Sequence, residues 1–516
     1  MGFIKFDLLG LSTLEMIQSC IGHILQRHEG IESPTYQDIK EYYNTYIHPD
    51  KIDLDDQEVY KNIFQKGKFV GIFQFTNEGA QRFCKSAKPA SIIDISAITS
   101  IYRPGPLGAH VDKSYVKAKR NPSEVQYVND LVKEVTEETA GFLIFQEQIA
   151  LLAHKLGKDF SLDEGNKLRK LLTKKGTGSV LKEKNKLEKK FLDGCLEKNI
   201  DLTTASKLWR NFEYFSGYGF NKSHAVSYSV LSYQCAWLLN YYPECWVAAF
   251  LDKEPEARKE KAIALAQQYG FNVTDININT SAGINWEISE DGKTLIQPLS
   301  SIKGLGVAAI KQIVDNRPFE NAEDLLFKEG VTYSKLNKKA LDVLCRSGAL
   351  DNVIDDTFTG MKHFWMSCIQ NRPKNKKKML ENIQEFHDEG EFSREEKINN
   401  ISDLTGIFPF DIVLSKDVRA AIQRYEVPAL GDWDPELGAA WFVPREKIAK
   451  KTKNGKPYWI LKVIDNTSTV NTIRVWGVDP SRDLLHLNRP YGAQLSYSED
   501  WGFSLRLNKN RLILLG

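Results

Sequence analysis

The sequence predicts a multidomain α+β protein, and three observations carry that prediction. At 516 residues the chain exceeds what one hydrophobic core supports and calls for about three or four domains. Through residues 111–245 apolar side chains recur at helical spacing. From residue 439 onward they alternate at period two between turn residues, the pattern of short strands. Shifts in this patterning divide the chain into 1–110, 111–245, 246–351, 352–438 and 439–516.

Bulk charge excludes little. With 69 Lys+Arg against 67 Asp+Glu, any affinity for a polyanion must come from local clusters rather than the overall field. The seven cysteines, at 20, 84, 195, 235, 245, 345 and 368, form no Cys-x-x-Cys pair. They read as reduced packing residues of a cytosol-like compartment, neither a disulfide frame nor a zinc site. Met1 to Phe6 has no signal-peptide layout, Phe6 stands where a myristoylation motif needs Ser or Thr, and no run approaches a membrane span.

Taken in order, Ile4 to Leu11 alternates as a short strand that places Lys5 and Asp7 on one face, and a helix follows near Ser12. The pair is either a surface ion pair or a metal ligand beside a phosphate-binding lysine. A half-buried strand at this position expects partner strands from outside the chain. Asp53-Leu54-Asp55-Asp56 reads as a helix start, because acidic side chains favour the first turn. Gly71 to Phe75 is a short apolar strand or buried turn before a helix from about Thr76. Tyr102-Arg103-Pro104-Gly105-Pro106 reads as an extended, rigid turn that fixes Arg103, for phosphate recognition or as a plain domain corner.

Phe145-Gln146-Glu147-Gln148 opens a helix with Ile149, Leu152 and Leu156 inward. The most basic window follows: from Lys167 to Lys190 ten Lys or Arg oppose only Glu183 and Glu188, with Gly176 to Ser179 between two basic helices. Such an imbalance inside a neutral chain suits a polyanion, and Lys174 and Lys175 lie at its centre. Next, Gly217-Tyr218-Gly219 makes a tight turn into Asn221-Lys222-Ser223-His224 on the first turn of a helix. Val226, Val230, Tyr233 and Trp237 share one apolar face, and Pro243 ends the helix. The turn is either an anion site at a helix N-terminus or an ordinary turn feeding a buried helix.

Beyond Pro243 the pattern becomes mixed α/β. Ser301-Ile302-Lys303-Gly304-Leu305-Gly306-Val307 resembles a helix-hairpin-helix, whose backbone N–H groups grip a DNA phosphate; Lys335, Lys338, Lys339 and Arg346 extend its basic surroundings. Residues 352–438 read as a charged helical linker. In 439–516 Asn454-Gly455 signals a hairpin, and a small β-barrel of the OB type is expected. Its Tyr458, Trp459 and Trp476 with Lys456 and Arg474 either bind a single strand or belong to the core.

Six motifs appear in one order: Lys5-Phe6-Asp7-Leu8-Leu9-Gly10-Leu11, Gly71-Ile72-Phe73-Gln74, Arg103-Pro104-Gly105-Pro106, Phe145-Gln146-Glu147-Gln148, Leu168-Arg169-Lys170 and Gly217 to His224. Together they closely resemble the bacterial DNA polymerase III alpha subunit, the C-family replicative polymerase. The resemblance implies a partial nucleotidyl-transferase palm, mainly α-helical fingers, the helix-hairpin-helix region and the OB-type barrel. It implies two Mg2+ ions held on three aspartates, of which Asp7 corresponds to one. The Pro-Asp-x-Asp-x-Asp-Phe strand that carries the other two has no counterpart here, so a separate N-terminal half is implied as partner, with this chain as the C-terminal half of a split enzyme.

By the same resemblance Lys5, Arg103, Arg169, Lys170, Tyr218, Asn221, Lys222 and His224 would bind the incoming deoxynucleoside triphosphate. Lys174, Lys175, Lys303, Gly304, Gly306, Lys338, Lys339, Lys456 and Trp459 would contact primer-template DNA. The family often has arginine where Lys170 stands and tyrosine where Phe145 stands. A sliding clamp is a further implied partner, although no clamp-binding peptide is evident, and the implied location is the nucleoid or a host-cell cytoplasm. The alternative reading is a non-catalytic DNA-binding remnant or regulatory subunit of a replisome.

Overall fold

A computed structural model describes residues 10–108, 110–172, 178–216, 219–436, 438–467, 470–479, 485–498, 501–507 and 511–515. The chain forms two compact units, Met1–Trp246 and Val247–Gly516.

The first unit is helical. Its opening helix, Ser12–Arg27, buries Met16, Ile17, Cys20, Ile21, Ile24 and Leu25, one stripe at three- and four-residue spacing. Asp56 caps the short helix Gln57–Val59, its carboxylate accepting from Glu58 N at 2.9 Å, as the acidic cluster predicted. Gly71 to Phe75 is a buried turn, with Gly71 at φ +66°, and the helix Glu78–Ala87 follows with Asn77 as its cap. The prolines at 104 and 106 stand in a short helix, Pro104–Gly108, rather than in an extended turn. Proline's fixed φ suits the first helical position, where its missing N–H has no intrahelical acceptor to lose.

The helix Lys222–Tyr241 runs through the middle of this unit. Period alone put one apolar face on it, yet Ala225, Ser229, the run Leu231 to Ala236, Leu238 and Leu239 are all buried. Neighbours cover it from several sides: Ser229 Oγ meets Ser96 Oγ of the helix Ile92–Ile101 at 3.0 Å, Tyr233 donates to Asp53 O at 2.7 Å, and Gln234 donates to Ile47 O at 2.8 Å. Small polar side chains permit this because each finds a hydrogen-bond partner when buried.

A second cluster in the same unit packs Ile149, Leu152, Leu156, Phe191, Trp209 and Phe212 between the helices Gln146–Leu156, Ser179–Glu197 and Leu202–Ser216. Gly194 sets the approach: a Cβ there would lie 2.1 Å from Lys158 N, so the backbones touch where any side chain would hold them apart.

The second unit begins with a small sheet, β1 (Asn272–Val273), β2 (Glu287–Ile288) and β3 (Thr294–Ile296), in the order β1-β3-β2. The hairpin through Gly304 and the helices Val307–Asn316 and Lys338–Arg346 follow. Residues 352–438, read as a charged linker, are helical but well packed. Phe364, Cys368 and Ile383 join the cluster under the hairpin, and Ile398, Phe408 and Val413 join one with Trp441 and Val443 of the next sheet.

That sheet contains β4 (Ala439–Lys451), β5 (Pro457–Ile464), β6 (Val470–Trp476), β7 (Tyr491–Gln494), β8 (Ser496–Ser498), β9 (Gly502–Arg506) and β10 (Leu512–Leu514). Their order is β10-β7-β4-β5-β6-β9-β8. Strand β4 pairs with β7 over its first residues and with β5 over its remainder, and an irregularity between Pro444 and Glu446 bends it so that the sheet curls. The β4–β5 hairpin turns at Gly455, φ +74°, as Asn454-Gly455 predicted. The mixed helix-and-sheet class read from the sequence therefore stands.

Candidate nucleotide and nucleic-acid interface

Two helix N-termini lie side by side in the first unit, those of Gln146–Leu156 and Lys222–Tyr241. The residues before them form a parallel bridge, Phe145 with Phe220. Gln146 N donates to Phe220 O at 2.9 Å, Phe220 N to Ile144 O at 3.0 Å, and Gln146 Nε2 to Gly219 O at 2.9 Å. Gln148 is buried and fully used. Its Oε1 accepts from Ile144 N and Phe145 N, and its Nε2 donates to Val135 O and Thr139 Oγ1. Both glutamines of the Phe-Gln-Glu-Gln motif thus lock backbone, which leaves the residue between them aimed at the neighbouring helix.

That residue, Glu147, fills the anion position at the start of Lys222–Tyr241. Its Oε2 accepts from Lys222 N at 2.9 Å, its Oε1 accepts from Asn221 Nδ2 at 2.8 Å, and Arg169 Nη1 stands 3.4 Å from Oε1. Asn221 is also the helix cap, its Oδ1 accepting from His224 N at 2.9 Å. The Lys222 ammonium donates to both oxygens of Glu138, at 2.6 and 2.8 Å. A helix N-terminus attracts negative charge through unpaired N–H groups and its dipole. Here the chain supplies that charge itself, and sequence spacing could not reveal it across more than seventy intervening residues.

A line of rings connects the other motifs. The Arg103 guanidinium lies 4.3 Å above the Phe220 ring centroid, Phe220 meets His224 edge-on at 5.3 Å, His224 meets Tyr228 at 4.2 Å, and Tyr228 meets Phe73 at 5.3 Å. Arg103 Nε also donates to Ser100 O, and burial lowers the guanidinium pKa from its ordinary value. Arg103, Arg169, Asn221, Lys222 and His224 therefore gather around one pair of helix starts. Lys170, one residue beyond Arg169, is exposed. Lys5, Asp7, Tyr218, Lys174 and Lys175 lie outside the described residues.

Much of the basic window is internally neutralised. Lys167 pairs with Glu183, Lys184 with Glu213 and Lys190 with Glu164, while Lys182, Lys186 and Lys189 are exposed. For the two Mg2+ ions the described residues offer no fit. Among them, the group of three or more His, Cys, Asp or Glu donors close enough to share an ion is His28, Glu244 and Cys245. A nitrogen, oxygen and sulfur set does not suit magnesium, which demands an octahedron of oxygens.

In the second unit Gly304 takes φ +88° and Gly306 caps the helix Val307–Asn316 in an extended conformation. A Cβ on Gly306 would meet nothing within 4 Å, so its surface is open, and the Lys339 side chain passes beside Gly304. Lys338 donates to Gln370 O at 3.1 Å, and Lys303 N donates to Leu404 O at 2.9 Å. In the curled sheet Trp459 corrects an expectation: it is only 8% exposed and belongs to the core with Leu461 and Val463. Alternation on β5 turns these three inward and Tyr458, Ile460 and Lys462 outward. Tyr458 instead stacks on Trp476 at 4.6 Å on the outer side, and Arg474 lies over the exposed Trp501 ring at 5.6 Å.

Parts of both units resemble known proteins. Residues 24–199 match the bacterial DNA polymerase III alpha subunit finger domain, and residues 270–357 match a helix-hairpin-helix motif. The DNA polymerase III subunit alpha of Campylobacter jejuni is 32% identical over 354 residues, 67% of this chain and 28% of the relative. That of Aquifex aeolicus is 29% identical over 500 residues, 95% of this chain and 40% of the relative. That of Borreliella burgdorferi is 32% identical over 393 residues, 74% and 31% respectively.

A helical finger unit joined to a helix-hairpin-helix defines a polymerase-type chain. More narrowly, the chain belongs to the bacterial DNA polymerase III alpha subunit family. It spans 28%, 40% and 31% of the length of these three relatives.

Proposed function

We propose that this chain is the nucleotide-binding and DNA-holding part of a replicative DNA polymerase, which extends a primer on a template from deoxynucleoside triphosphates. The single observation that carries this reading is the convergence of Arg169, Asn221 and the Lys222 N–H on one carboxylate, at paired helix starts beside the finger-domain match. A site that already holds one negative group by three donors has the electrostatics for a phosphate. A triphosphate carries more charge than Glu147 and displaces it, and Arg169 and Lys222 then turn to the phosphate oxygens. Arg103, held over Phe220, and His224 orient the base-side groups. Tyr218 stands next in the chain to this turn, and Lys5 and Lys170 complete the proposed nucleotide contacts.

DNA is assigned to the open Gly304 to Gly306 hairpin with Lys303, Lys338 and Lys339, to Lys174, Lys175 and Lys456, and to an OB-type role for the curled sheet. Asp7 is the proposed metal ligand, and the further carboxylates of a two-Mg2+ centre are proposed to come from residues outside these 516, on the N-terminal half of the polymerase. A sliding clamp is a proposed partner, and work in the cytoplasm at the nucleoid follows from the same reading.

Primer extension with magnesium and four deoxynucleotides tests the assignment, first for this chain, then for its mixture with a polypeptide bearing the family's aspartate strand. Extension in the mixture, lost in Asp7→Ala, is expected. A stable mixed complex that never extends primer would overturn the proposal in favour of a non-catalytic DNA-binding or regulatory role. The internal neutralisation of Arg169 and Lys222 by Glu147 and Glu138 is the observation that favours that second role.

A further inference from the structure

We infer that His28, Glu244 and Cys245 form a binding site for a zinc-class divalent cation, separate from the nucleotide and DNA contacts. His28 follows the last turn of the helix Ser12–Arg27, and Glu244 and Cys245 occupy the first turn of the helix Pro243–Lys253. Residues 216 positions apart thus meet: His28 Nε2 lies 3.0 Å from Glu244 Oε1, and Cys245 Sγ lies 3.8 Å from the same oxygen. All three donor atoms fall within 4.8 Å of one another. Tetrahedral zinc, with bonds of about 2.0–2.3 Å, places its donors roughly 3.4–3.6 Å apart. The separations here bracket that spacing, so rotamer adjustments bring all three onto one ion.

The surroundings suit such an ion. Cys245 is fully buried, the Glu244 side chain is 14% exposed and the His28 side chain 38% exposed, so the site has a dry sulfur end and a wet imidazole end. The Tyr242 ring packs edge-on against His28 at 5.2 Å and orients it, and the Tyr242 hydroxyl is itself held by Tyr42. One sulfur, one nitrogen and one carboxylate oxygen select zinc over magnesium or calcium, which prefer all-oxygen shells. On binding, the Cys245 thiol gives its proton to solvent, the thiolate, imidazole and carboxylate each donate a pair to the cation, and a water on the exposed side takes the fourth position. Arg27 Nε, now 4.0 Å from Glu244 Oε1, is displaced. A set with a single cysteine is invisible to cysteine spacing, which is why the sequence showed no zinc motif.

Cobalt titration of the chelator-stripped full chain tests the site. The expected result is one equivalent bound, with the strong visible bands of a tetrahedral ion and a sulfur-to-cobalt charge-transfer band, all removed by added zinc. His28→Ala and Cys245→Ser should each abolish the charge-transfer band or the stoichiometric step, while Arg27→Gln should tighten binding. A weak octahedral spectrum, or bands that persist in both ligand variants, means an adventitious ion only and overturns the inference. Should Cys245→Ser fail to fold by circular dichroism, the exposed His28→Ala and the isosteric Glu244→Gln decide the matter alone. Zinc should also raise the melting temperature of the parent chain and leave that of His28→Ala unmoved.

Discussion

Glu147 is the residue on which the nucleotide site turns, because one carboxylate satisfies an N–H of the second helix, the Asn221 amide and part of the Arg169 charge. Glu147→Gln keeps one acceptor but sets an amide N–H against the Lys222 N–H. We expect a loss of about 1–2 kcal/mol, read by denaturant melts. The same substitution removes the competing anion, so triphosphate affinity should rise; a fall in affinity, measured by nucleotide titration, would show that Glu147 helps bind rather than yields. Lys222→Ala should weaken nucleotide binding more than duplex binding, and equal losses would contradict the assignment. Glu147 stood within a motif that the sequence exposed, but its partners are distant in the chain. Pattern named the residue and could not name its role.

At the scale of elements, the helices Leu162–Leu172 and Ser179–Glu197 are tied through Lys190, which donates to both oxygens of Glu164 at 2.9 Å and to Asp159 O at 2.7 Å. The Lys190 hydrogen bond, followed by that of the Ser161 N–H, holds the Glu164 carboxyl below its ordinary value. A depressed carboxylate contributes stability above its unfolded pKa, and that contribution disappears as pH falls through the lower, folded value. Stability measured from neutral pH downward should therefore fall less steeply on the acid side in Lys190→Met than in the parent, and identical profiles would sink this linkage. Where Ser179–Glu197 meets Leu202–Ser216, Phe191→Ala should cost about 3–5 kcal/mol, because Trp209 and Phe212 cannot collapse fully into the space. Inward Ile149, Leu152 and Leu156 were legible from spacing alone. The burial of Lys222–Tyr241 on more than one side and the inward turn of Trp459 were not, since both depend on which elements lie alongside.

At the scale of the whole molecule, a nearly neutral chain concentrates its candidate DNA contacts locally, and salt dependence is the measurement that counts them. Each phosphate contact contributes about 0.9 to the slope of log affinity against log salt. On the proposed duplex role, Lys339→Ala beside Gly304 should reduce that slope by about one such step without changing sequence preference. An unchanged slope would remove Lys339 from the interface.

Local chemistry alone determines a large part of this protein: the α+β class, the Asp56 helix start, the Asn454-Gly455 hairpin and the order of motifs that marks the family. Caps, turns and periodic faces are decided by residues within a few positions of one another, so spacing suffices to read them. Which anion fills the helix start at Asn221, which lysines of the basic window are already paired, that Trp459 faces inward, and that His28 meets Cys245 all required the folded chain. Each is a contact between side chains far apart in sequence, chosen by packing and by the need of buried charge for a partner, and neither constraint leaves a local pattern.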